Sequence, residues 1–346
     1  MWSKQKIQYL ILLLLIFLIS FSLGVLSERN GIFANKIKQT SHSKQIRAQT
    51  EMGTSTDGGL TNPLLECDIA EGLIDSYKEN FKDELNIVVD ELKKNGEITT
   101  MAVYFRDLNN GPTFGINEDE EFVPASLLKV PVMMSYFKLA EDDPSILDRK
   151  LSYDKEVNLA PNGSQLILPA RKIKVGEKYT INDLIERTIS YSDNEAVTLL
   201  IYNMPGGPIR ALYRMLGVSD GVLNGPDGRL TVKEYAAFFR ILFNSSYLSQ
   251  TYSTRALLLL TKTEFNQGLR AGVPENIILA HKFGEGGDVS EHQIHDCGIV
   301  YYPGHPYLLC TMSRGSDIKK LEGAIAKVSA FIYKKIDTLQ QATKTE

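Results

Sequence analysis

The chain has 346 residues, which is enough for one large or two small domains. Its 43% hydrophobic and 23% charged residues are typical of a globular protein. The net charge is only −4, and no cluster of Lys and Arg is interleaved with aromatics, which argues against nucleic-acid binding; no Cys or His spacing predicts a metal site or another cofactor.

The N-terminus begins with an uncharged apolar segment at residues 7–26. At about 1.5 Å per helical residue, this segment matches the ~30 Å core of a bilayer. Lys4 and Lys6 precede it, which predicts a cytoplasmic tail at residues 1–6. A cleaved signal peptide is the alternative, but its apolar region would run about 7–15 residues and end in a small-residue cleavage site, which is not seen here. We therefore expect an uncleaved single-pass anchor with the remaining chain outside the cytoplasm.

A polar segment follows the apolar one. Residues 38–63 contain no aromatic side chain and almost no apolar one. Burial therefore cannot offset the entropy cost of folding them. We predict a flexible linker over residues 27–63 and one folded domain over residues 64–340.

The first half of the domain is predicted to hold a helix, two strands and further helices. Apolar residues recur at helical spacing over 69–93, and "KKNG" ends that helix. "ITTMAVYFRDL" and "PTFGINED" predict two strands around the turn "NNG" at 109–111, and the next helix begins at Ser126. Thr180 and Asp183 predict an N-terminal capping pair. One face of that helix is predicted from Ile181, Leu184, Ile185, Thr188 and Ile189. After "SDN" comes a helix that is apolar nearly all round.

The second half predicts more helices and then three strands. Helices are expected at 208–216, 231–242 and 252–262, followed by the strands "NIILAHKFG", "IHDCGIVYY" and "YLLCTMSR". Ser316 or Asp317 caps a last helix, whose apolar face is Leu321, Ile325, Val328 and Ile332. This order predicts an α+β fold. An antiparallel five-stranded sheet would be flanked by the N- and C-terminal helices, with an all-helical subdomain beside it.

Three cysteines are present, Cys67, Cys297 and Cys310. Cys297 and Cys310 flank the turn "PGHP" and would face each other across a hairpin. Outside the cytoplasm a disulfide is permitted. Buried free thiols are the alternative, and the sequence leaves both open.

The pair Ser126 and Lys129 is the first candidate for chemistry. Residues three apart lie on one helix face, so a lysine here would lie beneath the serine hydroxyl. Lys129 is followed by "VPVMMSYF", and this face is therefore predicted to be buried. A buried lysine has a lowered pKa, so its neutral amine can take the hydroxyl proton that serine must lose to act as a nucleophile. Alone, S-x-x-K is weak evidence, because it recurs by chance on solvated helices.

Two further motifs follow in the chain. Ser192-Asp193-Asn194 interrupts two apolar helical runs, so three polar side chains lie where core is expected and need partners or a function. Lys282-Phe283-Gly284 ends a predicted strand, and its glycine would let a ligand approach the backbone. In this order, the three motifs resemble the S-x-x-K, S-D-N and K-T-G set of penicillin-recognising serine enzymes. Residues 66–338 resemble the class A β-lactamase domain, most clearly in "TINDLIERTISYSDNEAVTLL".

The resemblance implies a role for each residue. Ser126 would form the acyl-enzyme, Lys129 would accept its proton, and Ser192 would pass that proton to the leaving nitrogen. Asn194 would hold a substrate amide and help position Lys129, and Lys282 would supply positive potential for a substrate carboxylate. The backbone N–H groups of Ser126 and of Glu285, the residue after Gly284, would form the oxyanion hole.

Two departures from the family pattern bear on function. Phe283 replaces the usual Thr or Ser, whose hydroxyl binds the substrate carboxylate, which weakens the case for ordinary β-lactams. The family's glutamate, with an asparagine four residues on, is missing from "GVSDGVLNGPDGRLTVKEYAAFF". Asp220 and Asp227 are its only acids before Thr231, and Glu234 falls in the next helix. Without a base for water, acylation proceeds while deacylation stalls.

We therefore expect a membrane-anchored, extracytoplasmic, monomeric serine hydrolase that forms an acyl-enzyme with a β-lactam or a peptidoglycan-type peptide. A DD-peptidase-like enzyme is the enzymatic alternative. A covalent β-lactam sensor or trap is a non-enzymatic alternative, although six cytoplasmic residues leave little to carry a signal. An inactive scaffold is the least compatible reading, because core packing alone would not retain so many polar groups.

Overall fold

A computed structural model describes residues 59–62, 71–109, 112–156, 165–223, 228–287 and 290–342. The expected anchor at 7–26, the tail at 1–6 and the turn residues 110 and 111 lie outside these ranges. No helix within the described ranges is both long and apolar enough to cross a bilayer. Inside the span predicted as linker, Leu60 is buried, and its carbonyl accepts a hydrogen bond from the Tyr301 hydroxyl at 2.8 Å.

The chain divides into two compact units, Met1–Glu51 and Met52–Glu346, and all described residues belong to the second. Its helices are α1 (Glu71–Lys94), α2 (Lys129–Asp142), α3 (Ile181–Ser190), α4 (Asn194–Tyr202), α5 (Gly206–Met215), α6 (Val232–Phe243), α7 (Gln250–Leu260) and α8 (Ile318–Ala342). Its strands are β1 (Thr100–Asp107), β2 (Thr113–Ile116), β3 (Glu121–Phe122), β4 (Lys150–Tyr153), β5 (Glu177–Thr180), β6 (Leu230–Thr231), β7 (Leu279–Gly287), β8 (His292–Val300) and β9 (Tyr307–Gly315).

The main sheet has five antiparallel strands in the order β2-β1-β9-β8-β7, so strands from both ends of the domain join it. Side chains alternate between its faces. Val103 and Phe105 point into a core closed by α1 and α8, whereas Ala102 and Tyr104 point into a larger core shared with the helical block. This arrangement confirms the predicted α+β fold. Strand β7 lies at the sheet edge, and the active site is built beside it.

Most predicted elements are present with boundaries shifted by a few residues. Thr180 and Asp183 form the expected capping box of α3, and Asp317, not Ser316, accepts the backbone N–H of Lys320 at the start of α8. The apolar sequence of α4 is typical of a helix buried on all sides. That expectation was wrong at its C-terminal end, where Ile201 and Tyr202 are 47% and 68% exposed. Two small sheets, β3–β6 and β4–β5, were not predicted, because strands of two to four residues carry too little periodicity to detect.

The two cysteines of the last hairpin lie directly opposite each other. Cys297 of β8 pairs in register with Cys310 of β9, and the two form a disulfide. Both are buried against the helical block. The structure therefore favours the disulfide over free thiols.

Candidate active site

Ser126 lies on a short 3₁₀ turn, Ala125–Leu128, that leads directly into α2. Ser126 is half-buried. Ala125 has φ of 48°, a left-handed conformation that costs a residue with a Cβ about 1–3 kcal/mol. Just before the turn, the Val123 carbonyl lies 2.9 Å from Nε2 of the buried His295. The backbone before Ser126 is thus strained at Ala125, and the hydrogen bond from His295 to Val123 helps to hold it in place.

Lys129 is buried and surrounded by polar atoms. Its Nζ lies 2.9 Å from Ser126 Oγ, 2.6 Å from Asn194 Oδ1, and 2.7 and 2.9 Å from the carbonyl and hydroxyl oxygens of Ser192. Burial lowers the pKa of Lys129 to about 7, and the carboxylates of Asp193 and Glu285 oppose that shift. About half of the Lys129 amines are therefore neutral near neutral pH.

The partners of Lys129 fix how a neutral amine is oriented. Asn194 Oδ1 and the Ser192 carbonyl can only accept, so they take its two N–H groups. The lone pair then faces the hydroxyls of Ser126 and Ser192, each of which can donate. In this arrangement a neutral Lys129 amine can accept a proton from the Ser126 hydroxyl, and its role as the base stays a prediction.

The Ser192-Asp193-Asn194 segment joins α3 to α4, and all of its side chains have partners. Ser192 has φ of 56°, the second such strained residue at this site. The Asp193 carboxylate is fully buried and accepts the backbone N–H groups of Glu195, Ala196 and Ile173 at 2.9, 3.3 and 2.8 Å. Burial raises the pKa of Asp193, and these three N–H groups counter that shift. Asp193 thus anchors the loop, while its neighbours contact Lys129.

Lys282 is completely buried at the edge strand β7. Its Nζ lies 3.0 Å from Ser192 Oγ and 2.9 Å from the Phe283 carbonyl. The Phe283 ring, itself stacked on Phe265 with centroids 4.2 Å apart, has its centroid 4.0 Å from that amine. Burial, together with the neighbouring Lys129, lowers the pKa of Lys282 well below its usual value. The predicted source of positive potential thus lies beneath an aromatic ring.

Gly284 lets the Ser126 turn pack against β7. A Cβ at this position would lie 2.9 Å from Leu127 Cγ and 3.0 Å from the Pro124 carbonyl oxygen. The close approach that the sequence assigned to a ligand is therefore made by the turn itself. Because β7 is an edge strand, part of its backbone has no neighbouring strand to pair with. An oxyanion hole made by the N–H groups of Ser126 and Glu285 stays a prediction.

The Glu285 side chain makes a contact that the sequence did not reveal. Its two carboxylate oxygens accept the backbone N–H groups of Leu166 and Ile167 at 2.6 and 2.9 Å. Beside them, Gln165 Nε2 donates to the Ser192 carbonyl at 3.3 Å. The one feature of the sequence that sets this segment apart is the apolar run "LIL" at residues 166–168, within an otherwise polar and irregular stretch.

None of the hydrogen bonds that Lys129 makes to the described residues involves a carboxylate. Glu234 is part of a helix cap, because its carboxylate accepts a hydrogen bond from the backbone N–H of Thr231 at 2.8 Å. Asp227 lies outside the described residues. The described part of the chain also holds no group of three or more Cys, His, Asp or Glu placed to bind a metal ion.

Comparison with known proteins identifies the same architecture. A family model described as the β-lactamase enzyme family matches residues 80–336. A β-lactamase of Streptomyces fradiae is 25% identical over 222 residues, which cover 60% of this chain and 70% of that protein. A PBP-A variant, solved as an acyl-enzyme complex with penicillin G, superposes with a TM-score of 0.64 at 22% identity, covering 75% of this chain and 97% of the other. A class A β-lactamase from Mycobacterium abscessus gives a TM-score of 0.61 at 23% identity, covering 74% and 99%.

Proposed function

Because the chain belongs to the β-lactamase enzyme family, we propose that it is a serine hydrolase that becomes acylated at Ser126 by a β-lactam or a related peptide amide. One observation carries this proposal. The amine of Lys129 touches the Ser126 hydroxyl at 2.9 Å, while acceptor-only oxygens hold its other hydrogens. A buried lysine with no task would be costly, and here it has the geometry of a general base.

Acylation follows from these contacts. The Ser126 oxygen bonds to the carbonyl carbon of the substrate as its proton passes to Lys129, and the carbonyl π electrons move to oxygen. Backbone N–H groups of Ser126 and Glu285 would stabilise that oxyanion; in enzymes that use such donors, losing one costs about 10²–10³ in rate. The oxyanion electrons then re-form the carbonyl double bond as the carbon–nitrogen bond breaks, and Ser192 gives its proton to the departing nitrogen. Lys129 returns the stored proton to Ser192, which completes the acyl-enzyme.

We expect hydrolysis of the acyl-enzyme to be slow. Water needs a base, and general-base catalysis contributes about 10²–10⁴-fold. Asp193 is committed to three backbone N–H groups, Glu285 to two, and Glu234 to a helix cap. These occupied carboxylates favour a second candidate function, in which a DD-peptidase-like enzyme or a covalent trap retains the acyl group.

Labelling with a fluorescent penicillin separates these functions. The full-length chain in detergent would be incubated with the probe, and labelling and loss of label followed on a gel, with Ser126→Ala as control. We expect labelling that requires Ser126 and decays over minutes to hours. Loss within seconds would indicate an efficient β-lactamase. Labelling that Ser126→Ala retains would refute the acyl-enzyme, and no labelling at all would leave an unrelated acyl substrate or the scaffold.

We also propose that residues 7–26 anchor the domain outside the cytoplasm, with residues 1–6 inside. The support is the uncharged stretch preceded by two lysines. Protease added to intact cells that express the chain should digest the domain, whereas a cytoplasmic marker should survive. A domain digested only after lysis would contradict this placement. Release of the domain into the medium would instead indicate a cleaved signal peptide.

A further inference from the structure

Residues 165–167 are held at two points that lie on different walls of the candidate active site. Gln165 Nε2 donates a hydrogen bond to the backbone carbonyl of Ser192. The hydroxyl of the same serine contacts the Lys129 amine. One residue later the chain is held on β7, where the Glu285 carboxylate accepts the N–H groups of Leu166 and Ile167. We call residues 165–167 the strap.

Ser126 is near both attachment points. Its hydroxyl shares the Lys129 amine with Ser192, on the side where Gln165 is attached. Its turn packs on β7 next to Glu285, because a Cβ at Gly286 would lie 3.1 Å from the Cβ of Ala125. The two attachments of the strap, on the Ser192 carbonyl and on the Glu285 carboxylate, are therefore both close to the Ser126 turn.

The attachment to β7 is made by one carboxylate. Two successive backbone N–H groups share the two oxygens of Glu285, and hydrogen bonds to an ionised acceptor are stronger than neutral ones. Of its apolar side chains, Leu166 is 53% exposed, whereas Ile167 is partly buried and packs against the core closed by α1 and α8. The position of the strap thus depends on the Glu285 carboxylate together with the packing of Ile167.

We propose that Glu285 is a specificity-determining residue that latches the strap across the site, so that an acyl donor must displace this contact to reach Ser126. The proposal rests on acylation at Ser126 as the proposed function. A donor whose carbonyl sits against the backbone N–H of Glu285 brings its substituents up to the carboxylate of the same residue. Donors with a negative charge next to the reacting carbonyl are therefore disfavoured, and neutral or cationic donors are preferred.

The test compares Glu285→Ala and Glu285→Gln with the wild-type full chain. Glu186→Ala is the matched control, because within the described part of the chain its half-exposed carboxylate makes one ion pair, 3.7 Å from Lys262. Hydrogen–deuterium exchange of peptides covering the strap reports the latch without any acylation. The rate of labelling by fluorescent penicillin reports access to Ser126. Labelling is measured at pH 9, since removing the Glu285 charge also lowers the pKa of Lys129, and at this pH Lys129 is neutral in every variant.

We expect strap amides to exchange at least about tenfold faster in Glu285→Ala than in wild type. Labelling should also rise at least about tenfold, with Glu285→Gln intermediate because its amide oxygen still accepts, and with Glu186→Ala unchanged. A carboxyl methyl ester of the probe should label wild type faster than the acid does and respond less to Glu285→Gln.

Other outcomes overturn the proposal. Unchanged exchange in Glu285→Ala means that no latch exists, whatever the labelling shows. Faster exchange with unchanged or slower labelling means that the strap does not control access. If no variant is labelled at all, the proposed function fails while the exchange result still decides the latch. If Glu285→Ala is unfolded by circular dichroism, Glu285→Gln provides the same comparisons.

Discussion

Lys129 and Lys282 converge on one oxygen, with their Nζ atoms 2.9 and 3.0 Å from Ser192 Oγ. Two buried ammonium ions this close would repel each other, and burial lowers the pKa of both amines. A hydroxyl has one proton and two lone pairs, so Ser192 can accept from one amine while donating to the other when it is neutral. The cluster therefore links Ser126, Lys129, Ser192 and Lys282 in one hydrogen-bonded path that involves no carboxylate.

The first prediction concerns the pH dependence of acylation. In the proposed mechanism the neutral form of Lys129 is the base, and burial lowers the pKa of Lys129 to about 7. The second-order rate of labelling by fluorescent penicillin should therefore rise with pH through about 7 and level off above it. Lys129→Arg should lose at least about 10²-fold in rate at every pH, because a guanidinium does not deprotonate. A wild-type profile that is flat between pH 5 and 9 would contradict the role of Lys129.

The second prediction separates the hydroxyl of Ser192 from its backbone. Ser192→Ala removes the proton path and keeps a Cβ at φ of 56°, whereas Ser192→Gly removes the hydroxyl and also the strain. Both variants should acylate about 10²–10⁴-fold more slowly, since proton transfer is lost. Thermal unfolding should place Ser192→Gly above Ser192→Ala by about 1 kcal/mol. If Ser192→Ala acylates at the wild-type rate, another group delivers the proton.

The third prediction tests the ring that covers Lys282. Phe283 is 3% exposed and stacked on Phe265. Phe283→Thr should lower the free energy of unfolding by about 3 kcal/mol, because it leaves a cavity. It should also raise penicillin labelling by about tenfold, since a hydroxyl replaces the ring that covers the amine.

Phe265→Leu provides the control for this comparison, because it disturbs the same stack but leaves residue 283 unchanged. It should lower stability without raising the labelling rate. Equal rates in both variants would mean that the Phe283 ring does not limit carboxylate recognition.

The sequence predicted the fold because long elements carry clear periodicity. The α8 face is an example, since Leu321, Ile325, Val328 and Ile332 are all fully buried. Ser126, Lys129 and Ser192 could be found for a different reason, because a lysine or serine inside an apolar run is costly without partners. The structure supplies those partners from three separate stretches of chain.

What the sequence did not predict depends on tertiary contacts of ordinary surface residues. Glu285 was expected to contribute only its backbone N–H, and nothing in "EGG" indicates that its carboxylate reaches Leu166 and Ile167. Likewise, Phe283 could be recognised as a departure from the family pattern, but its stacking on Phe265 pairs residues with no regular spacing. Such contacts have no local signature because they depend on how the 165–168 segment and β7 are brought together.

The last prediction concerns His295, which contacts Val123, two residues before the Ser126 turn. Its Nδ1 accepts the N–H of Ser313 at 3.3 Å, so its other nitrogen, Nε2, carries the proton donated to Val123. Burial lowers the pKa of His295 to about 4, and the charge of Arg314 acts in the same direction. Between about pH 6.5 and pH 4, the unfolded chain binds a proton at His295, whereas the folded chain keeps His295 neutral. Stability is therefore fully present above about pH 6.5 and falls by about 3 kcal/mol as the pH drops to about 4.

Urea unfolding of wild type and His295→Gln at pH 7, 5.5 and 4 measures this effect. Carboxylates titrate in both proteins, so the difference between the two curves isolates the histidine. His295→Gln should be less stable than wild type at pH 7, because a buried contact is disturbed, and the gap should close by about 3 kcal/mol toward pH 4. Because His295 holds Val123, Ser126 labelling by penicillin should weaken in the variant at pH 7 as well. A constant gap across the three pH values would show that His295 titrates alike in the folded and unfolded chain.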